Sequence, residues 1–291
     1  MKTLKKHILL YDSECPMCDL YSRGFVASGM LDGDGRTAYQ EVLGGDGPES
    51  CHTGPGTLQV GNVGAGCPLI DRQRAVNEIA LVDTTTGAVS YGIDSLFKVI
   101  GYSFPVLRPL FRWRPFTWLM RKLYSFISYN RKVIIPAPVP DSASLQPSFS
   151  LRYRLAWLVF TALISGSILT RYARLLTGLV SAGGVYREYL ICAGQIVFQG
   201  LMVALTGRSR RTFWDYLGNM MTISLAGSLL LLPALAAHSI LTPTLAALYF
   251  LLVAACMLAE HIRRTRLLRL GWGLSVSWAG YRMVLLLLIL L

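Results

Sequence analysis

The chain has 291 residues, 53% of them hydrophobic and 15% charged, with a net charge of +12. That composition lies far from an average soluble domain, and the length suits about two domains. Residues 1–103 carry 8 Lys+Arg against 12 Asp+Glu and residues 104–291 carry 20 against 4; because the basic half is also the apolar half, the excess reads as headgroup-facing charge on a membrane protein and argues against a nucleic-acid reader.

The N-terminus, "MKTLKKHILLYD", pairs a basic start with a short apolar run. The run is too short for a signal-peptide core and reads as a buried strand, Lys6–Tyr11. The expected setting of this domain is the cytosol, where thiols stay reduced, so the six cysteines are not read as a disulfide framework. Directly after the strand comes "YDSECPMCD", with Cys15 and Cys18 two residues apart. Pro16 suits the first position of a helix running to about Met30, which puts Cys15 at the helix N-terminus. There the dipole and the free N–H groups favour a thiolate. Cys15 is then the exposed attacking sulfur and Cys18 the resolving one. Asp12 and Glu14 act against the thiolate, although Asp12 is also placed to shuttle a proton.

"RTAYQEVLG", Arg36–Gly44, reads as the second strand. Residues 44–72 form a Gly-rich insertion with no helical period, carrying Cys51, His52 and Cys67. It reads as a mobile loop, either a solvated segment or a flap that closes over the CxxC so that Cys51 or Cys67 pairs with Cys15 on oxidation. "NEIALVDTTTGAVSYG" reads as a hairpin with strands Ile79–Val82 and Ala88–Tyr91. A helix follows over Asp94–Gly101 with Asp94 as N-cap.

Residues 104–135 place Leu107, Leu110, Phe111, Trp118, Leu119, Leu123, Phe126 and Ile127 at helical spacing, interleaved with Arg112, Arg114, Arg121 and Lys122. Such a basic amphipathic helix lies in a membrane interface or packs on the preceding domain. A Pro/Ser-rich linker covers residues 136–150. Residues 151–291 alternate long apolar runs with basic loops, giving five expected spans: Leu155–Thr170, Glu188–Thr206, Trp214–Ala237, Leu241–Glu260 and Trp272–Leu291. The basic loops after spans two and four put the N-terminal domain inside and the C-terminus outside, as expected of a multi-pass protein of the cell membrane. Arg171, Arg174 and Arg187 on the outer side depart from that rule. Glu188, Asp215 and Glu260 are expected to face headgroups, whereas Arg282 in mid-span needs a partner. Cys192 and Cys256 differ in depth by roughly 16 Å and read as packing residues, not a relay.

The segment "YDSECPMC" after a short strand resembles the DCC-type thiol-disulfide oxidoreductases, whose signature Asp-x-x-Cys-x-x-Cys corresponds to Asp12, Cys15 and Cys18. "ALVDTTTGAVSYGIDSL" and "LYSFISYNRK" (Leu123–Lys132) are similar too, so the resemblance spans roughly residues 5–132. It implies a thioredoxin-like α/β fold for residues 1–103 fused to an α-helical transmembrane domain. It also implies thiol–disulfide exchange by Cys15 and Cys18 with a protein or small-molecule disulfide or dithiol, and no cofactor. Two other readings remain open: a zinc site built from Cys15, Cys18, Cys67 and one of Cys51 or His52, and a redox-inactive module serving a membrane protein of transport, lipid or scaffold function.

Overall fold

A computed structural model describes residues 1–43, 57–58, 70–137, 148–180 and 183–290. The chain divides into two compact units, Met1–Arg131 with Pro140–Phe149 and Lys132–Val139 with Ser150–Leu291.

The first unit is built on a four-stranded mixed sheet. Its strands are β1 (His7–Tyr11), β2 (Arg36–Ala38), β5 (Ala80–Asp83) and β6 (Val89–Tyr91), in the order β2-β1-β5-β6. The pair β1–β2 is parallel and is connected through α1 (Pro16–Ala27); β1–β5 and β5–β6 are antiparallel. Strand alternation buries both faces. Leu9, Ile79 and Leu81 point to one face and pack with Tyr21, Phe25 and Val26 of α1 and Val99 of α4 (Ile93–Ser103). Leu10, Ala80 and Val82 point to the other and meet Ile70 and Ala75.

The second strand is shorter than expected. It ends at Ala38, opposite Tyr11, because β1 itself stops there and offers no further partner. The chain continues as a short helix, α2 (Tyr39–Leu43). Two residue pairs join β3 (Thr57–Leu58) to β4 (Ile70–Asp71), and Asp71 then caps α3 (Arg72–Asn77) by accepting from the Arg74 N–H at 3.0 Å. The rest of the insertion, with Cys51, His52 and Cys67, lies outside the described residues, as does most of the linker.

The expected N-cap at Asp94 is corrected. The capping residue is Gly92, with φ +60°, and Asp94 falls in the first turn. The single helix expected over 104–135 is also broken, into a 3-10 turn at Pro105–Leu107, α5 (Arg108–Arg112) and α6 (Arg114–Ile134). A proline stands in the first two positions of each piece, where a missing N–H is harmless; in a helix interior the same ring would clash. One side of α6 packs on the sheet unit. Tyr124 Oη accepts from the Ile79 N–H at 3.2 Å, Ser128 Oγ donates to the Asn77 carbonyl at 2.8 Å, and Arg121 pairs with Asp94 at 3.1 Å. Trp118, Leu119, Leu123 and Ile127 of α6 are exposed.

The second unit is helical: α7 (Leu151–Ala173), α8 (Arg187–Ala204), α9 (Arg210–Leu230), α10 (Leu232–Ala236), α11 (Pro243–Leu267) and α12 (Gly273–Leu290). All five apolar runs are helices, but among the described residues three segments are long and apolar enough to cross a membrane: Leu151–Leu176, Arg210–Ala236 and Pro243–Leu267. Gly273–Ile289 is apolar but shorter. The burial pattern suits lipid as solvent. Leu155, Val159, Leu163, Val197, Leu248, Leu252 and Val284 are exposed, whereas Thr161, Ser165, Gln195, Gln199, Asn219, Ser224 and His261 are buried. In hydrocarbon the apolar side chain gains nothing by hiding, and the polar one must find its partner inside.

The acidic residues Asp215, Glu260 and Glu188 are each paired with arginine in this unit. Asp215 accepts from the buried Arg154 at 2.9 Å, Glu260 from Arg263 and Arg264 at 2.6 and 2.7 Å, and Glu188 from Arg187 at 2.9 Å. Arg264 also donates to the Val133 carbonyl at 2.7 Å and to Asn219 Oδ1 at 3.0 Å. Cys192 is buried, Cys256 is exposed, and neither is in a disulfide.

Candidate functional site

The site is assembled where β1 ends. Cys15 donates its N–H to the Asp12 carbonyl at 3.1 Å, closing a tight turn, and Asp19 N–H donates to the Cys15 carbonyl at 3.0 Å as α1 begins. Cys15 is the N-cap, in extended conformation, with Pro16 next at the first helical position as expected. Asp12 holds the turn together. Its Oδ1 accepts from the Glu14 N–H at 3.1 Å and from Gln40 Nε2 at 2.8 Å, and its Oδ2 accepts from Arg131 Nη2 at 2.9 Å. Gln40 also accepts from the Ser13 N–H at 3.1 Å. It reaches the turn because α2 starts at Tyr39, immediately beyond the last β1–β2 residue pair.

Cys15 is not exposed as expected. It is 4% exposed and Cys18 is 3% exposed. Its activation comes from neighbours, not from solvent access. The Cys18 thiol hydrogen-bonds to the Cys15 sulfur and, with the Arg131 guanidinium, brings its pKa down to about 7 against the opposing effects of burial and Asp12. The same pairing pushes Cys18 strongly up, helped by burial and by the charge on Cys15. The two thiols are therefore differentiated: one is readily ionised and the other keeps its proton. Both are free, with no disulfide between them.

Arg131 is the residue that spacing alone did not reveal. Its side chain is 5% exposed, as is that of Asp12. It donates to Asp12, to the Val76 carbonyl at 2.8 Å and to the Asn77 carbonyl at 3.4 Å. It thus compensates the Asp12 charge that would oppose a thiolate, and its own positive charge acts on both cysteines. Nothing in the local spacing of "YNRK" points to Arg131, because its partner lies 119 residues away along the chain. Tyr21 borders Cys18, and burial raises its phenol first of all. Tyr39 borders Asp12 and is raised by the same cause.

Beside this centre Asp19 pairs with Arg36 at 2.7 Å and with Arg23 at 2.8 Å. Arg36 also donates to Tyr11 Oη at 2.7 Å and lies 4.3 Å over that ring. The Arg36 hydrogen bond holds the Asp19 carboxyl below its ordinary range. This cluster ties α1 to β1 and β2 and so fixes the direction in which the Cys15 turn enters the helix. Among the described residues no group of three or more His, Cys, Asp or Glu side chains is placed to hold a metal ion. Cys51, His52 and Cys67, which the zinc reading and the flap reading need, lie outside them. No protein-family model, curated protein or solved structure matches this chain.

Proposed function

We propose that the chain is a membrane-anchored thiol–disulfide oxidoreductase of the DCC type, with Cys15 as nucleophile and Cys18 as resolving thiol. The observation that carries this reading is the differentiated pair: a helix N-terminal Cys15 whose pKa is brought down to about 7 by the Cys18 thiol and Arg131. A thiol poised near ambient pH combines a large thiolate share with good nucleophilicity. The strand order β2-β1-β5-β6, with a CxxC helix between the two parallel strands and a helix after the hairpin, is consistent with a thioredoxin-like layout.

In the reducing direction the Cys15 thiolate attacks one sulfur of a substrate disulfide. A Cys15–substrate disulfide forms, and the other substrate sulfur leaves as a thiolate that takes up a proton. Cys18 then loses its proton and attacks Cys15 Sγ. The Cys15–Cys18 disulfide forms, the substrate leaves as a dithiol, and an external dithiol restores the pair. Because Cys15 is buried, a partner must open the turn on docking, which selects against casual oxidants. The exposed Trp118, Leu119, Leu123 and Ile127 beside Lys122 support a seat for α6 in a membrane interface. The basic loops after α8 and α11 support a multi-pass arrangement with the N-terminal unit cytosolic and the C-terminus outside.

The deciding experiment is trapping in detergent-purified protein. Cys18→Ser should accumulate mixed disulfides with a model disulfide substrate, and Cys15→Ser should form none. Trapping by both variants, or by neither, would sink the reading. So would stoichiometric zinc lost only when these cysteines are replaced.

A further inference from the structure

Inside the helical unit a chain of polar side chains connects α8, α9, α11 and α12. Arg282 Nη2 donates to Gln195 Oε1 at 3.1 Å, and the guanidinium lies 4.2 Å over the Trp278 ring. Trp278 stacks on His261 at 5.2 Å between centroids. His261 Nε2 is 3.3 Å from Tyr216 Oη, which donates to Gln199 Oε1 at 2.6 Å, and its Nδ1 is 3.1 Å from Ser275 Oγ. Gln195 is 3% exposed, Trp278 2% and His261 1%.

This network is unbalanced in one direction. Gln195 Nε2, Trp278 Nε1 and Arg282 Nε are buried donors with no acceptor among the described residues. Flipping the amide does not rescue Gln195, because its oxygen is held by Arg282. Indole N–H and guanidinium Nε–H groups have no acceptor form. Nor does a carboxylate among the described residues answer Arg282: the groups acting on it are the Cys192 thiol and the Tyr281 phenol, while Glu188 is engaged by Arg187. A half-buried cation with its Nε–H buried and unpaired, beside two buried orphan N–H groups, is costly and persists where a ligand completes it.

The complement is a group with acceptors only and one negative charge, that is, a carboxylate or phosphodiester oxyanion. Its approach is through hydrocarbon. Arg282 is half-buried, and its neighbours on α12, Met283 and Val284, are exposed and apolar. We propose that Arg282, Gln195 and Trp278 form a site for the oxyanion headgroup of a membrane-soluble amphiphile, separate from the CxxC.

The test uses the full chain, delipidated in nonionic detergent, and native mass spectrometry with three probes: oleate, its methyl ester, and an oleoyl phosphatidylglycerol. Saturable binding of one or both anions is expected, with the methyl ester at least tenfold weaker. A preference for oleate or for the phospholipid identifies carboxylate or phosphate as the source. Arg282→Met should weaken anion binding at least tenfold. Its thermal midpoint without ligand should be unchanged or higher, since an apolar side chain there leaves no charge unpaired. Gln195→Leu, which keeps Arg282, should weaken binding several-fold and guards against a folding failure of the first variant. Equal affinity for the methyl ester, unchanged affinity in both folded variants, or no binding of either anion by the folded protein would overturn the proposal.

Discussion

Replacing Arg131 by methionine separates the two jobs of that side chain. The Arg131–Asp12 pair is 2.9 Å long with both side chains 5% exposed. Removing the cation leaves Asp12 buried without its countercharge, and the Val76 carbonyl also loses a 2.8 Å donor. Breaking such a pair from one side costs about 3–5 kcal/mol, against a stability of about 5–15 kcal/mol for a typical domain. The second effect is on the thiol. With Cys15 at about 7, half of it is thiolate at pH 7. A complete return to the ordinary 9.0 would leave about 1% thiolate. Higher intrinsic nucleophilicity would recover roughly eightfold of that roughly fiftyfold loss. Exchange should therefore slow by up to about sixfold. Arg131 ranks behind the Cys18 hydrogen bond as a cause of the lowering, so the observed change should fall inside that bound. The assay is the pH dependence of Cys15 alkylation with Cys18 in place, resolved by peptide mass spectrometry, with urea unfolding alongside. Adding Asp12→Asn should restore much of the stability, since no lone charge remains. An alkylation midpoint unchanged by Arg131→Met, or a double variant no more stable than the single one, would refute the reasoning.

Two further outcomes follow from the same geometry. The lowered Cys15 thiol gives the reduced protein stability that is fully present above the unfolded value of 9.0 and is lost as pH falls through about 7. The raised Cys18 acts oppositely, present below 9.0 and lost above it. Urea midpoints of the reduced first unit should thus rise from about pH 7 to 9 and then fall, and a flat profile, or the same profile in the oxidised form, would count against the differentiated pair. Gly92→Ala should destabilise the first unit by about 1–3 kcal/mol, because φ is +60° there and an added Cβ would come within 2.8 Å of a Glu78 carboxylate oxygen. Limited proteolysis of the intact chain reads this out, and equal resistance of the two proteins would contradict it.

What the sequence determined by itself is local or periodic. Strand, turn, Pro16 and helix around the CxxC follow from near neighbours, as does the Ala80–Tyr91 hairpin with its "DTTTG" turn. The five apolar runs that become α7, α8, α9, α11 and α12 are visible because 3.6-residue helices need no distant partner to satisfy their backbone. Where a neighbouring element decided, the residues alone misled. The second strand stops at Ala38 because β1 turns away at Asp12, and Cys15, read as exposed, is buried. The activation of Cys15 belongs to the same class. Dipole and proline are written in residues 15 and 16, but Arg131 and Gln40 reach the turn only because α6 and α2 pack beside it. A charge 119 residues away leaves no trace in local spacing, yet in a buried site it helps the Cys18 hydrogen bond bring the Cys15 thiol down.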